Sequence, residues 1–307
     1  MNASAVLVAG GTGSRFPDPS GKKKQYLMLG GKPLICWSLE VLQRSSLIED
    51  IVLVVPAGDE AYVREEILTP GAVDTKAHAD DDMPADGGVR FGKVKKIVAG
   101  GKERYHSVYE GLKAVQALHE ADADRGTAAG AFAGSAMDVA TNVFDATDRV
   151  VFIHDGVRPF LTEDMLRRLA GDVQKTGACV LAVPAKDTIK RADAGRMVIE
   201  TLKREELWQM QTPQVFRLEL ALTAHRRLID GDDGGDVPGT SRDTVDGMPA
   251  HSSGSGVAVT DDAMVVSLAF PEQRILLTEG SYRNLKVTAP EDLIIAEALA
   301  TGMKASL

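Results

Sequence analysis

Only two cysteines, Cys36 and Cys179, occur in 307 residues, each inside an apolar segment. That excludes a disulfide framework or a cysteine-built metal centre and leaves two reduced core thiols. No apolar stretch approaches the ~20 residues that cross a bilayer, and the N-terminus runs directly into a strand rather than into a signal peptide. Positive charge is in deficit. The 35 Lys and Arg against 44 Asp and Glu leave a net charge of −9, which argues against a general nucleic-acid or membrane-surface binder and makes any functional cations local. No His, Cys and carboxylate set of ligand spacing accompanies His154, which reads as a packed or hydrogen-bonded strand residue, and no internal repeat is visible. The expectation is a soluble cytoplasmic protein with small-molecule partners.

A hydrophobic content of 44% permits a sizeable core, and the length suits one large α/β domain or two small ones; the chain is read as a single domain over 1–307. Strand-like runs alternate with helical ones, the pattern of a mostly parallel sheet covered by helices. Strands are expected at the start of the chain and at Ile51–Val55, Lys96–Ala99, Val150–His154 and Ala178–Pro184, with a helix opening at Pro33 and a last helix opened by a capping box at Thr288-Ala289-Pro290-Glu291. Three stretches, 70–92, 121–148 and 230–256, are rich in Asp, Ala, Gly and Ser and read as mobile surface insertions, because they bury too little to offset their ordering entropy.

The opening AVLVAGGTGSRF is an apolar strand ending in a glycine turn, Ala9-Gly10-Gly11-Thr12-Gly13, followed by Arg15 and the cluster Lys22-Lys23-Lys24. Glycines let backbone N–H groups point into a turn and bind an anion, and cations on both sides of such a nest imply a polyanion between them. Two better-known glycine motifs fail: the dinucleotide fingerprint needs Gly or Ala at Phe16, and the Walker loop needs Gly at Phe16 and Ser or Thr at Lys23.

Two further constellations end strands. Ala99-Gly100-Gly101 precedes a helix carrying Arg104 and Ser107, and VVFIHDGVRPFL exposes Asp155, Gly156 and Arg158 where a sheet's C-terminal edge binds ligands. Asp155 there can face a hydrated Mg²⁺ or a ribose hydroxyl; the plainer alternative is an Asp155–Arg158 ion pair holding the loop. Lys186–Asp193 with the strand-like Met197–Leu202 reads as a polar hairpin leaving the body, and Ser281–Thr288 carries Arg283 and Lys286 before the last helix.

Together AVLVAGGTGSRF, KKQYL, AGGKERYHSV, HDGVRPF, KDTIKRAD, WQMQTPQVF, VTDDA and NLKVTAPEDL resemble, in order, the motifs of the 2-C-methyl-D-erythritol 4-phosphate cytidylyltransferases, from residue 4 to about 298. The resemblance implies a Rossmann-like nucleotidyltransferase fold: α/β, a mostly parallel twisted sheet with helices on both faces, and a protruding β-arm at 186–206 that exchanges between the subunits of a homodimer. It implies that Arg15 and Lys24 stabilise the pentacoordinate α-phosphate, that Arg191 and Lys286 hold the methylerythritol phosphate, and that Thr201 and Thr260 bind that second substrate. Ala9, Gly10, Gly11, Gly13, Gly101, Arg104, Ser107, Asp155 and Gly156 would line the nucleotide. Arg158 would lie with Asp155 beside ribose and metal, on the second substrate's side. CTP and Mg²⁺, the metal bound mainly by the triphosphate with Asp155 reaching it directly or through water, complete the implied set.

The chain departs from some members at Lys23, where they carry Pro, and at Lys102 or Arg283, where they carry an acidic residue. A ribitol-5-phosphate cytidylyltransferase would share the nucleotide half, but the hairpin Lys190-Arg191-Ala192 resembles the methylerythritol enzymes. A sugar-1-phosphate nucleotidyltransferase does not fit the middle and late motifs. A nucleotide-binding regulator without catalysis is disfavoured by the joint presence of Arg15, Lys24, Asp155 and Lys286.

Overall fold

The computed structural model describes residues 1–11, 22–69, 91–125, 148–230 and 259–304. In chain order these form β1 (Ala3–Val8), β2 (Met28–Leu29), β3 (Lys32–Pro33), α1 (Leu34–Arg44), β4 (Asp50–Val55) and α2 (Glu60–Tyr62), continued by a wider turn over Val63–Ile67. Next come β5 (Val94–Ala99), α3 (Arg104–Arg125), β6 (Val150–Asp155), α4 (Glu163–Thr176), β7 (Ala178–Pro184), β8 (Lys190–Ala192), β9 (Val198–Thr201) and β10 (Trp208–Arg217). The chain finishes with α5 (Leu218–Asp230), α6 (Asp262–Ala269), β11 (Leu276–Glu279) and α7 (Pro290–Lys304).

Seven of these strands make one sheet in the order β11-β7-β10-β6-β1-β4-β5. Only β10 runs antiparallel to its neighbours β6 and β7; β1 pairs in parallel with both β4 and β6. The chain winds outward from β1 through β4 to β5 and then crosses back to β6 on β1's other side. The strand order therefore reverses between β1 and β6, and their carboxyl ends flank the crevice where open α/β sheets take ligands.

Alternation along the buried strands divides the core between two faces. Ala5, Leu7, Leu53 and Phe152 pack under α1 and α4 with Ile35, Leu39, Leu166 and Leu169. Val6, Val54, Val151 and Ile153 pack under α3, α5 and α6 with Val108, Leu112, Leu220 and Val266. Each such side chain contributes on the order of 1.5–3 kcal/mol by leaving water. Both cysteines are buried free thiols, as composition implied, and burial pushes the Cys179 thiol up to about 12.

Differences from the sequence-based expectation are local. The bulk of the three acidic stretches, 70–90, 126–147 and 231–258, lies outside the described residues. Their edges are ordinary structure: Phe91 is buried in the core, 121–125 continue α3, and Asp230 ends α5. Helix α7 is opened by Asp292 rather than Glu291. The Asp292 carboxylate accepts from the N–H of Thr288 and of Ala289 and from the Thr288 hydroxyl, because with Pro290 as first helical residue it is position 292 that points back at the cap. Strand β10 spans WQMQTPQVF and Arg217, a segment whose proline and glutamines hid its strand character.

Helix α3 packs tightly on the sheet at Gly111, where an added Cβ would lie 2.4 Å from Val6 Cγ1 and 3.0 Å from Val54 Cγ2. Both valines are stiff at χ1, so the helix would have to move. Gly171 sits on the exposed face of α4 with no atom within 4 Å of such a Cβ. Gly111→Ala is expected to lower the unfolding free energy by about 1–3 kcal/mol despite alanine's better helix propensity. Gly171→Ala should raise it by up to about 1 kcal/mol. Urea titrations of both variants check the pair, and equal effects would mean that propensity alone governs the two sites.

Candidate active site

The carboxyl ends of β1, β5 and β6 meet through glycines. A Cβ on Gly10 would be 3.3 Å from the Ser107 hydroxyl, one on Gly100 2.9 Å from the same oxygen, and one on Gly156 3.2 Å from Ala9 Cβ. Three backbone turns can approach one another this closely only without side chains. The Ser107 hydroxyl, on the first turn of α3, accepts from the Gly101 N–H at 3.0 Å and donates to the Glu103 carbonyl at 3.2 Å, tying the β5 turn to its helix. On the β1 side buried Gln25 donates to the carbonyls of Ala9 at 2.8 Å and Gly11 at 3.3 Å.

At the end of β6 the buried Asp155 is the hub. Its Oδ1 accepts from Arg104 Nε at 3.1 Å, its Oδ2 lies 2.8 Å from Lys286 Nζ, and its backbone N–H donates to the Thr212 hydroxyl at 3.0 Å. Arg158, three residues on, reaches only 3.9 Å, because its guanidinium donates to the Asn284 carbonyl at 2.7 Å and to Met210 O at 3.5 Å. The ion pair foreseen within the loop is thus secondary to two that come from far along the chain. Burial alone would raise the Asp155 carboxyl, but Arg104, Lys286 and Arg158 outweigh it and hold the group well below the usual carboxylate range.

Arg104 is itself shared. Its Nη1 lies 2.8 Å from Oδ1 of the buried Asp262, and that oxygen is 3.4 Å from His225 Nε2, whose ring Nδ1 meets the Ala221 carbonyl at 2.8 Å. Burial would lower the guanidinium's pKa, yet Asp262 and Asp155 more than offset it and drive it up. Burying alternating charges in this way keeps each one compensated.

Lys286 reaches Asp155 because its loop is stapled to β10 and to the turn after β6. Buried Asn284 donates to the Gln211 side chain at 3.3 Å and the Thr212 carbonyl at 3.0 Å, Gln211 donates to the Ser281 carbonyl at 2.8 Å, and the Val287 N–H donates to Val157 O at 2.9 Å. Sequence reading assigned no role to Gln25, Gln211, Thr212, Asp262, His225 or Asn284. The signal that was available is their position inside the quoted motifs for all but His225.

Other expected site residues lie apart from this cluster or outside the description. Gly13 and Arg15 fall outside the described residues. Lys24 stands in the short 3-10 turn Lys24–Tyr26 and acts electrostatically on Asp292 at the start of α7. Thr260 precedes α6, its hydroxyl 3.6 Å from Met264 Sδ. Arg191 and Thr201 are on the exposed β8–β9 hairpin, where Arg191 pairs with Glu200 at 2.8 Å and Thr201 accepts from Lys190 at 2.9 Å.

His154, as expected, is a hydrogen-bonded strand residue. It is fully buried beside the Ser38 hydroxyl at 3.2 Å, the Arg158 carbonyl at 3.2 Å and the Thr212 hydroxyl at 3.0 Å, and burial pushes its pKa down to about 4. The unfolded chain takes up this proton near pH 6.5 and the folded one only near 4, so unfolding binds a proton between those values. Stability from this residue is complete above about pH 6.5 and falls as pH drops towards 4, by on the order of 3 kcal/mol over the whole window. Relative to His154→Gln, the wild type should lose about 2–3 kcal/mol more between pH 7 and pH 4.5. Chemical denaturation at the two pH values measures this, and parallel losses would show that His154 does not titrate with unfolding.

The profile of the family described as IspD, 2-C-methyl-D-erythritol 4-phosphate cytidylyltransferase, matches residues 3–123 and 130–237. A protein of that name from Geobacter metallireducens is 35% identical, with 97% of each chain covered, and one from Chloroherpeton thalassium is 32% identical over the full length of both. Among solved structures, 4-diphosphocytidyl-2C-methyl-D-erythritol synthase from Anaerococcus prevotii superposes with a TM-score of 0.64 at 23% identity, covering 98% of this chain and 96% of that one. The fold is therefore shared with that structure, and the full-length sequence relatives together with the profile show that this chain belongs to the 2-C-methyl-D-erythritol 4-phosphate cytidylyltransferase family.

Proposed function

We propose that the chain transfers CMP from CTP to 2-C-methyl-D-erythritol 4-phosphate, releasing pyrophosphate and forming 4-diphosphocytidyl-2-C-methyl-D-erythritol. The observation that carries this reading, beside the family, is the Arg104–Asp155–Lys286 cluster beside the glycine turns at the β1/β6 switch point. Such a site offers fixed charge and backbone donors, and that is what phosphoryl transfer requires.

A phosphate oxygen of the second substrate attacks the α-phosphorus of CTP, a new P–O bond forms, and the bond to the bridging oxygen of pyrophosphate breaks. No side chain has to remove a proton, because the attacking phosphate dianion is already nucleophilic. Arg15 and Lys24 supply positive charge where the pentacoordinate phosphorus develops negative charge. The turns around Ala9, Gly10, Gly11, Gly13, Gly101, Ser107 and Gly156 hold the nucleotide with Arg104. Lys286 and Arg158 orient the second substrate, with Thr260 at its edge.

Mg²⁺ carried by the triphosphate would neutralise the leaving group. Asp155 is the carboxylate suited to it, and both its oxygens already accept from cations, which favours contact through a bound water. Among the described residues no group of three or more His, Cys, Asp or Glu gathers into a protein-only cage. Among them, too, no helix is long and apolar enough to cross a membrane.

The β8–β9 hairpin supports a homodimer with exchanged arms. Met197 is 68% and Ile199 54% exposed on it, apolar side chains that a partner subunit would cover. In that arrangement Arg191 and Thr201 complete the partner's site, and Arg191 exchanges Glu200 for a substrate phosphate.

Purified protein should release pyrophosphate from CTP with methylerythritol phosphate far faster than with ribitol 5-phosphate; the reverse preference would assign the rival activity. In the same assay Lys24→Ala and Arg15→Ala should each lower kcat by ~10²-fold or more with a smaller effect on the KM for CTP. An unchanged kcat in a folded variant would remove that residue from the role.

Arm exchange has its own outcome. Arg15→Ala and Arg191→Ala proteins, each nearly inactive, should recover activity when unfolded and refolded together. Random pairing makes about half the dimers mixed, with one of two sites intact in each, so recovery should approach about a quarter of wild type. Absence of recovery in mixed dimers verified by mass spectrometry would place Arg191 in its own subunit's site or outside catalysis.

A further inference from the structure

Lys24 stands between two residues anchored to the same carboxylate. Lys23 Nζ meets both oxygens of Asp59, at 2.7 and 2.8 Å, and the Tyr26 hydroxyl donates to Asp59 Oδ2 at 3.0 Å. Tyr26 is buried, and its ring packs edge-on against Tyr62 with centroids 5.1 Å apart. The remaining residue of the turn, Gln25, is bonded to the carbonyls of Ala9 and Gly11. Asp59 follows β4 at the same edge of the sheet as the glycine turns, and its backbone N–H donates to the Pro56 carbonyl at 3.0 Å.

We propose that Asp59 is a positioning residue for Lys24: by gripping Lys23 and Tyr26 it fixes the short turn that presents the Lys24 ammonium to the nucleotide phosphates. A lysine is a point charge on a flexible stem, so the place where it acts depends on how firmly its backbone is held. Pairing also takes up the charge of Lys23, which leaves Lys24 without an unpaired like charge as its immediate neighbour. The backbone of Lys23 has φ −69° and ψ 142°; a proline would fix that φ covalently and is compatible with that ψ. Among the described residues its N–H makes no hydrogen bond that a proline would forfeit. The ion pair thus does by electrostatics what a ring at this position would do by covalent restraint.

The inference rests on the proposed role of Lys24, and steady-state kinetics with CTP separates the two. Asp59→Ala should lower kcat by roughly 10- to 100-fold with the KM for CTP changed less than about threefold, because displacing a charge needed in the transition state acts on rate. Adding Lys23→Pro to Asp59→Ala should recover most of the loss. Combining Asp59→Ala with Lys24→Ala should cost little beyond Lys24→Ala alone, since both act through one ammonium group. Should Asp59→Ala fold poorly by circular dichroism, Asp59→Asn, which keeps acceptors for Tyr26 and Lys23 without the charge, should show a smaller loss of the same kind. A wild-type kcat in the folded Asp59 variants, no rescue by proline, or losses that multiply in the double variant would each overturn the inference and leave the role of Lys24 standing. A wild-type kcat in Lys24→Ala would overturn both.

Discussion

Asp155 lies buried at the end of β6, and a carboxylate there is tolerated because Arg104 and Lys286 meet its two oxygens. Removing one partner of such a pair typically costs about 3–5 kcal/mol through the charge left uncompensated. The constraint spreads outward. Arg104 must enter at the first turn of α3, so the β5–α3 turn has to be tight, and Gly100, Gly101 and Ser107 make it so. Lys286 must arrive from beyond β11, so its loop is stapled by Asn284 and Gln211 to β10.

That cluster also bears on the single antiparallel strand of the seven-stranded sheet. By entering between β6 and β7 from the ligand edge, β10 brings Thr212 beside Asp155 and His154, and Gln211 beside the Lys286 loop. A parallel strand would begin at the opposite edge. The same edge carries the ends of β1, β4, β5, β6, β7 and β11, so the glycine turns, the Asp59 grip and the exit to the hairpin all come from one side of the sheet. Asp262 extends the charge pairing of Arg104 into α6 and contacts His225 of α5, which gives the guanidinium a fixed direction before any ligand arrives.

Much of the fold was legible beforehand. Buried parallel strands are nearly continuous apolar runs, so β4, β6 and β7 stood out, and the alternation with helices implied the layered arrangement. β10 did not stand out, because Trp208-Gln209-Met210-Gln211-Thr212-Pro213 alternates poorly and its polar members are satisfied by partners distant in sequence. Within the site, Asp155, Arg104 and Ser107 were legible as polar residues at strand and helix ends, and Lys286 through the family resemblance alone. His225 was not, since a histidine amid Leu222, Ala224 and Leu228 carries no sign that a carboxylate lies above it.

By itself the sequence determined the buried apolar strands β1, β4, β5, β6 and β7, which turns must be glycine, and where cations crowd near the N-terminal loop, because hydrophobic period and turn chemistry are local properties of the chain. Tertiary structure decided who pairs with whom. Asp155 takes Arg104 and Lys286 in preference to nearby Arg158, since Arg158 is drawn to the Asn284 carbonyl. Of the adjacent lysines, Lys23 is the one bound by Asp59. Electrostatic pairing depends on distance in space, and that distance was set by the strand order that folds β1, β4, β6 and β11 onto a common edge.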